Sequence, residues 1–126
     1  MNETTLEPYT VQLSFKGPEA KDLREWGLII GAFMEALAQN CSADGPALIG
    51  HIKGFAQLPD QGFMKVSVID TKHRAEITGD MRGRAPELDM TLNVLVYGHT
   101  RNKLEELIFE TIATPGKLWS DRVLKA

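Results

Sequence analysis

The sequence contains a single cysteine, Cys41, among 126 residues. One cysteine excludes a disulfide within the chain, and it also excludes a metal cluster built from several cysteines of one chain. Such low cysteine usage is typical of proteins in reducing compartments. We therefore expect a cytoplasmic protein.

The sequence also lacks an excess of positive charge. The 14 Lys and Arg residues are outnumbered by 17 Asp and Glu residues, and the net charge is −3 at pH 7. Domains that bind the phosphate backbone usually carry a basic excess. Three strand-like runs followed by a helix also occur in RNA-binding domains, but no run here is rich in surface aromatic residues. We expect no nucleic-acid partner.

Long hydrophobic runs are absent as well. The most apolar stretch, residues 26–38, covers thirteen residues, whereas a membrane-spanning helix needs roughly 20. Residues 1–8 are polar and contain Glu3 and Glu7, unlike the basic start and apolar core of a signal peptide. We expect no membrane partner, and we expect residues 1–8 to be flexible.

The most informative segment that is present is this same apolar stretch, in which Glu35 is the only charged residue. An ordinary surface helix needs one apolar face, but this segment has two stripes at helical spacing. The first stripe consists of Leu23, Ile30, Met34, Leu37 and Cys41, and the second of Trp26, Ile29, Phe33 and Ala36. The first is predicted to cover a sheet. The second is predicted to be an interface with another copy of the chain, so we expect a homo-oligomer.

The helix that carries these stripes is predicted to open at Gly17-Pro18-Glu19, because proline suits the first helical turn. It is predicted to run to about Asn40 and to end at residues 43–46, where Gly and Pro occur. A second helix is predicted from Asn102, which has the spacing of a capping pair with Glu105. A last short helix from Thr114-Pro115 would carry Leu118, Trp119 and Val123.

Five runs alternate between apolar and polar residues as strands do: 9–16, 48–58, 63–70, 73–81 and 88–97. Gly50, Gly54 and Gly79 fall on the inward faces, where they allow the first helix to approach closely or mark bends and bulges. Short turns between successive runs favour an antiparallel sheet. The predicted fold is a single α+β domain over residues 1–126. Its sheet has about five antiparallel strands, the element order is β-α-β-β-β-β-α-α, and the helices pack on one face.

His51 and Lys53 are the first candidate ligand-binding residues. They lie two apart in a strand-like run, so their side chains share its non-core face. A nearby ammonium lowers the pKa of an imidazole, and the two groups together suit the binding of a carboxylate or phosphate. The alternative is that both are ordinary solvated residues on the open face of a sheet.

Arg82, Arg84 and His99 are further candidates for ligand binding. The two arginines lie in a glycine-flanked loop and are able to bind an anion bidentately. His99 precedes a helix whose free N–H groups also attract anions. The alternatives are solvated charges and simple helix capping. His51, His73 and His99 lack the spacing of metal ligands, so we expect no metal and no cofactor.

No local motif identifies a reaction, and two hypotheses remain. The first is a non-catalytic homo-oligomeric binding or assembly protein, which the doubly apolar helix favours. The second is a small enzyme with an intersubunit site that uses His51 and Lys53 on an anionic small molecule, since a site shared between strands or chains leaves no local motif.

Overall fold

The chain forms one antiparallel sheet covered by helices. The computed structural model describes residues 8–43 and 48–125. In chain order the elements are β1 (Tyr9–Asp22), α1 (Leu23–Ala43), β2 (Leu48–Gln57), β3 (Phe63–Val68), β4 (Glu76–Asp80), β5 (Arg84–Tyr97), α2 (Arg101–Ala113) and β6 (Val123–Lys125). The sheet has six strands in the order β4-β3-β2-β5-β1-β6. The predicted α+β class is confirmed, with six strands in place of about five.

Within the described ranges, no helix is long and apolar enough to cross a membrane.

Helix α1 lies on the inner face of the sheet, where it contacts β1, β2, β3 and β4, and α2 packs against α1. The first predicted stripe of α1 is confirmed as core. All five of its residues are completely buried: Leu23, Ile30, Met34, Leu37 and Cys41.

The second stripe of α1 is also covered within one chain, and this corrects the prediction that it would face another copy. Its four residues are buried or half-buried: Trp26, Ile29, Phe33 and Ala36. Phe15 of β1 meets the rings of Trp26 and Phe33 edge-on, at centroid distances of 6.5 and 5.9 Å. Trp119 covers Phe33 at 5.8 Å, and its indole N–H donates to the Thr111 carbonyl at 2.7 Å. The chain's own aromatic residues therefore occupy the place predicted for a partner.

Helix α1 begins at Leu23 and not at the predicted Gly17-Pro18-Glu19 segment. The Asp22 carboxylate accepts a hydrogen bond from the Glu25 N–H at 2.8 Å, and the Glu25 carboxylate accepts one from the Asp22 N–H at 3.3 Å. This is a capping box, which satisfies two backbone donors at the helix start. Strand β1 instead continues through Pro18, with a shift in its register against β5 that allows a proline there. The helix extends to Ala43, and the predicted stop at residues 44–46 lies outside the described residues.

The segment after α2 forms turns and a short strand, so the predicted third helix is wrong. Thr114 is the C-cap of α2 and not the N-cap of a new helix, since its N–H donates to the Thr111 carbonyl. Gly116 and Asp121 have left-handed φ angles of 74° and 62°. A right-handed helix cannot continue through such residues. The chain then pairs β6 with β1 at the edge of the sheet.

Helix α2 begins at Arg101, one residue before the predicted start. Its N-cap is Thr100, whose hydroxyl oxygen accepts a hydrogen bond from the Lys103 N–H at 3.1 Å. A threonine is a preferred N-cap residue. The predicted cap at Asn102 therefore falls inside the helix.

The predicted alternation of the strands holds through most of the sheet. Gly54 faces inward as predicted, and a Cβ added to it would lie 2.6 Å from the Met90 sulfur and 3.2 Å from the Met34 sulfur. Glycine at this position thus lets α1 approach β2 and β5 closely. A bulge between Ile49 and His51 breaks the alternation at the start of β2, so Leu48 is exposed and not inward-facing as predicted.

Two of the predicted strands begin at a different residue from the predicted one. Strand β4 begins at Glu76 and not at residue 73, because residues 70–73 form a polar turn closed by the Asp70 carboxylate. Strand β5 begins at Arg84, inside the segment predicted to be a loop, and its first residues pair with the end of β1.

Replacement of Ile30 by aspartate is expected to lower the free energy of unfolding by more than about 4 kcal/mol, because it places an unpaired carboxylate in the core. Ile30 is completely buried. Ile30→Val is the matched control, with an expected loss of about 0.5–1.5 kcal/mol. Denaturant unfolding measures both variants. Equal stability of the two would show that this face of α1 does not pack on the sheet.

Candidate functional site

Strand β2 places His51 and Lys53 together on the open face of the sheet, as predicted. In the register of the sheet His51 pairs with Leu95 of β5, and Lys53 lies between Asn93 of β5 and Ser67 of β3. Their neighbour Ile52 points the other way and is completely buried in the core. The two candidates therefore share the face of the sheet opposite to the one that α1 covers.

The imidazole of His51 is affected by its surroundings on this face. Partial burial lowers the pKa of His51, and the positive charge of Lys53 lowers it further. Folding thus favours the neutral imidazole, because the folded-state pKa lies below that of the unfolded chain. The resulting contribution to stability is present at pH values above the unfolded-state pKa and is lost as the pH falls below it.

A depression of about 460 Å³ lies on the same face, over strands β2 to β5. We call it the sheet-face depression. Its lining includes Lys53, Phe55, Lys65, Ser67, Glu76 and Asn93. Its volume is within the range of small-molecule sites. Lys53 therefore lines this depression together with a second lysine, Lys65, whereas His51 does not line it.

Lys65 was missed by the sequence analysis because only the pairing register reveals it. Lys65 lies directly across from Phe55 on β2, and Lys53 lies directly across from Ser67 on β3. Lys53 and Lys65 are thus diagonal neighbours, and such residues are about 7–8 Å apart at their Cα atoms. The one signal in the sequence was the outward position of Lys65 in its own strand.

The structure does not bring Arg82 and Arg84 to this site. Arg82 forms a bidentate ion pair with Asp80, with nitrogen–oxygen distances of 2.6 to 2.9 Å. Arg84 donates to the Ala20 carbonyl at 2.9 Å. Asp80 and Gln57 both pair with Phe63, so they lie in the same row across the sheet. Gln57 is six residues from His51 on β2, which is a separation of about 20 Å along a strand. Both guanidinium groups are therefore distant from His51 and are already hydrogen-bonded.

His99 is also separate from the site, because its side chain is buried beside the end of α1. Its Nε2 atom lies 2.7 Å from the Cys41 carbonyl oxygen. A carbonyl oxygen only accepts hydrogen bonds, so Nε2 carries a proton and donates it. The imidazole satisfies a backbone acceptor at the C-terminal end of α1, where carbonyls lack partners within the helix. His99 therefore acts in the structure as a helix cap.

Two further reactive side chains, those of His73 and Cys41, lie outside the sheet-face depression. His73 pairs with Asp70 on an exposed turn at 2.7 Å. Burial raises the pKa of the Cys41 thiol to about 12, so this cysteine is a poor nucleophile. Within residues 8–43 and 48–125, no group of three or more His, Cys, Asp and Glu residues is placed to hold a metal ion.

Replacement of Lys53 by glutamine is expected to raise the pKa of His51 toward its ordinary value, because it removes the positive charge that disfavours the imidazolium form. The recovery is expected to be incomplete, since burial is the larger cause of the shift. NMR titration of the imidazole C–H resonances measures the change. Lys65→Gln is the matched control and is expected to leave His51 unchanged. An equal effect of both variants would contradict the proximity of Lys53 to His51.

Replacement of His99 by alanine is expected to cost about 1–3 kcal/mol of stability, because the Cys41 carbonyl is left buried without a donor. His73→Ala removes an exposed histidine and is expected to change stability by less than about 0.5 kcal/mol. Thermal and denaturant unfolding compare the two variants. Equal losses would rule out a capping role specific to His99.

Comparison of this chain with protein-family models, with curated protein sequences and with solved structures finds no match in any of the three.

Proposed function

We propose that the protein is a non-catalytic binding or assembly protein that acts as a homo-oligomer through the exposed face of α1. One observation supports this proposal. Leu28 of α1 and Leu118 of the turn after α2 are 67% and 60% exposed, and both line the same two surface grooves. Large apolar side chains grouped on a surface are characteristic of protein interaction sites. We call this pair the α1 ridge.

The grooves on the two sides of the α1 ridge differ in chemistry. The first, of about 320 Å³, runs between α1 and β4 and is mostly apolar. Its wall and floor are formed by small or apolar residues: Gly27, Gly31, Ala32, Ala75 and Ile77. The second, of about 290 Å³, includes Ile29 and the charged residues Lys21, Glu25 and Arg122. The first groove thus matches the ridge beside it in polarity.

A ridge next to an apolar groove on one surface favours a second copy of the chain as the partner. In a two-fold dimer each copy presents the same patch, so the patch must contain both complementary shapes. The charged residues also suit this arrangement. The α1 ridge and its two grooves form one surface with charged residues at both ends. One end carries Lys21, Glu25 and Arg122, and the other carries the ion pair of Glu35 with Arg74. Antiparallel helices would place these two ends opposite each other, and each end offers both signs of charge.

The cellular location that we propose is the cytoplasm. Its support is the single cysteine of the chain, which is buried and has a strongly raised thiol pKa. A protein stabilised without disulfides fits a reducing compartment.

Sedimentation velocity between about 1 and 100 µM tests the proposal, because weak dimers dissociate in this concentration range. The wild-type protein is expected to dimerise. Leu28→Asp is expected to raise the dimer dissociation constant by at least a factor of about 10, because it places a carboxylate in the apolar groove of the partner.

Leu124→Asp is the matched control. Leu124 is 59% exposed and belongs to edge strand β6, away from the α1 ridge. This variant is expected to dimerise like the wild type. A wild-type protein that is monomeric at about 100 µM would contradict the proposal. Dissociation caused by Leu124→Asp but not by Leu28→Asp would place the interface elsewhere.

A further inference from the structure

The sheet-face depression combines two positive charges that lack acidic partners. Neither the Lys53 ammonium nor the Lys65 ammonium lies within 4 Å of a carboxylate among the described residues, where the ion pairs involve other side chains. The two lysines are diagonal neighbours across β2 and β3, a spacing that long side chains bridge. An anion between the two ammonium groups would pair with both charges, and the length of both side chains allows them to reach one phosphate group.

Asn93 supplies a third hydrogen-bond donor with a fixed direction. Asn93 lies between Thr10 of β1 and Lys53 of β2 in one row across the sheet. The Thr10 hydroxyl donates to the Asn93 Oδ1 atom at 2.6 Å. This bond holds the oxygen of the amide toward β1 and therefore turns its nitrogen toward β2 and the depression. Thr10 is thus a positioning residue for the Asn93 amide.

Phe55 gives the depression an apolar wall. Its side chain is 41% exposed, and its ring packs against Phe63 at a centroid distance of 6.1 Å. The packing fixes one side of the ring and leaves the rest of it available to a ligand. Exposed aromatic faces stack well with planar rings.

Glu76 lies on the β4 side of the depression, two residues before Thr78, which pairs with Lys65. Its carboxylate offers acceptors for hydroxyl groups.

We propose that the sheet-face depression binds a small phosphate monoester that carries a planar ring and hydroxyl groups, as a nucleoside monophosphate does. Lys53, Lys65 and the Asn93 amide bind the phosphate, Phe55 stacks on the ring, and Glu76 accepts hydrogen bonds from the hydroxyls. The volume of about 460 Å³ accommodates one small ligand. A long polyanion suits the site less well, because Glu76 lies beside the lysines and the chain as a whole has a net charge of −3.

Calorimetric and NMR titration with adenosine monophosphate tests this proposal on the full chain. The backbone signals of Lys53, Phe55 and Lys65 are expected to shift. Inorganic phosphate and adenosine alone are each expected to bind at least about 10-fold more weakly, since each lacks half of the contacts. Lys65→Gln is expected to weaken binding about 10-fold, because it removes one charge-assisted hydrogen bond.

Lys16→Gln is the matched control for charge. Lys16 lies on β1, pairs with Glu87 and does not line the depression, so this variant is expected to bind like the wild type.

Thr10→Val tests whether Thr10 positions the Asn93 amide. It is expected to weaken binding of the monophosphate but not of adenosine, and Thr10→Ser is expected to restore binding because it retains the hydroxyl.

Three results would overturn the proposal. The first is the absence of any shift at Lys53, Phe55 and Lys65 with about 10 mM adenosine monophosphate, a concentration at which even millimolar affinity saturates most of the site. The second is equal weakening by Lys16→Gln and Lys65→Gln, which would indicate non-specific attraction of the anion. The third is binding of a single-stranded oligonucleotide in preference to the monophosphate.

Leu28→Asp is expected to leave the binding of adenosine monophosphate unchanged. The failure of the dimer proposal is therefore distinguishable from the failure of the ligand proposal.

Discussion

The structure depends on the burial of α1 on nearly every side. The contacts that achieve this form a continuous aromatic series from Trp26 to Phe15, Phe33 and Trp119, with neighbouring ring centroids 5.8 to 6.5 Å apart. A helix with one polar face would need only the sheet beneath it. Because α1 has two apolar stripes, the chain must return after α2 and place Trp119 over the second stripe. The turns after α2 and the pairing of β6 with β1 serve this return.

The same constraint separates the two faces on which a function can be proposed. The inner face of the sheet and most of α1 are committed to the core. The helix layer exposes large apolar side chains at Leu28 and Leu118, and at Phe109 of α2. On the outer face of the sheet, opposite α1, the side chains of Lys53 and Lys65 line a depression. The first surface suits association with another copy of the chain, and the second suits an anionic small molecule. Since the sheet lies between them, we expect substitutions at one surface to leave the other intact.

Periodicity in the sequence predicted most of the fold, because alternation fixes which side of a strand faces the core. It correctly placed Lys53 on the open face. The start of α1 was missed even though Asp22 and Glu25 have the spacing of a capping box, since Pro18 gave a competing signal for a helix start. The diagonal placement of Lys53 and Lys65 was not predictable, because the register between strands depends on the whole sheet. The cover over the second stripe was missed because it requires left-handed backbone in the turns that carry Trp119, and a single sequence gives little indication of such turns.

Hydrogen exchange of the two indole N–H groups, measured by NMR on the wild-type protein at low concentration, tests most directly whether one chain alone encloses α1. The Trp26 indole donates to the Ala85 carbonyl at 2.9 Å and the Trp119 indole to the Thr111 carbonyl at 2.7 Å, and both rings are buried. We expect both indole protons to exchange as slowly as the backbone amides in the middle of α1, since all of them require large-scale opening of the core. Exchange of the Trp119 indole at the rate of a solvent-exposed tryptophan would contradict the account. It would mean that Trp119 does not cover the second stripe of α1 and that this stripe is exposed in the single chain.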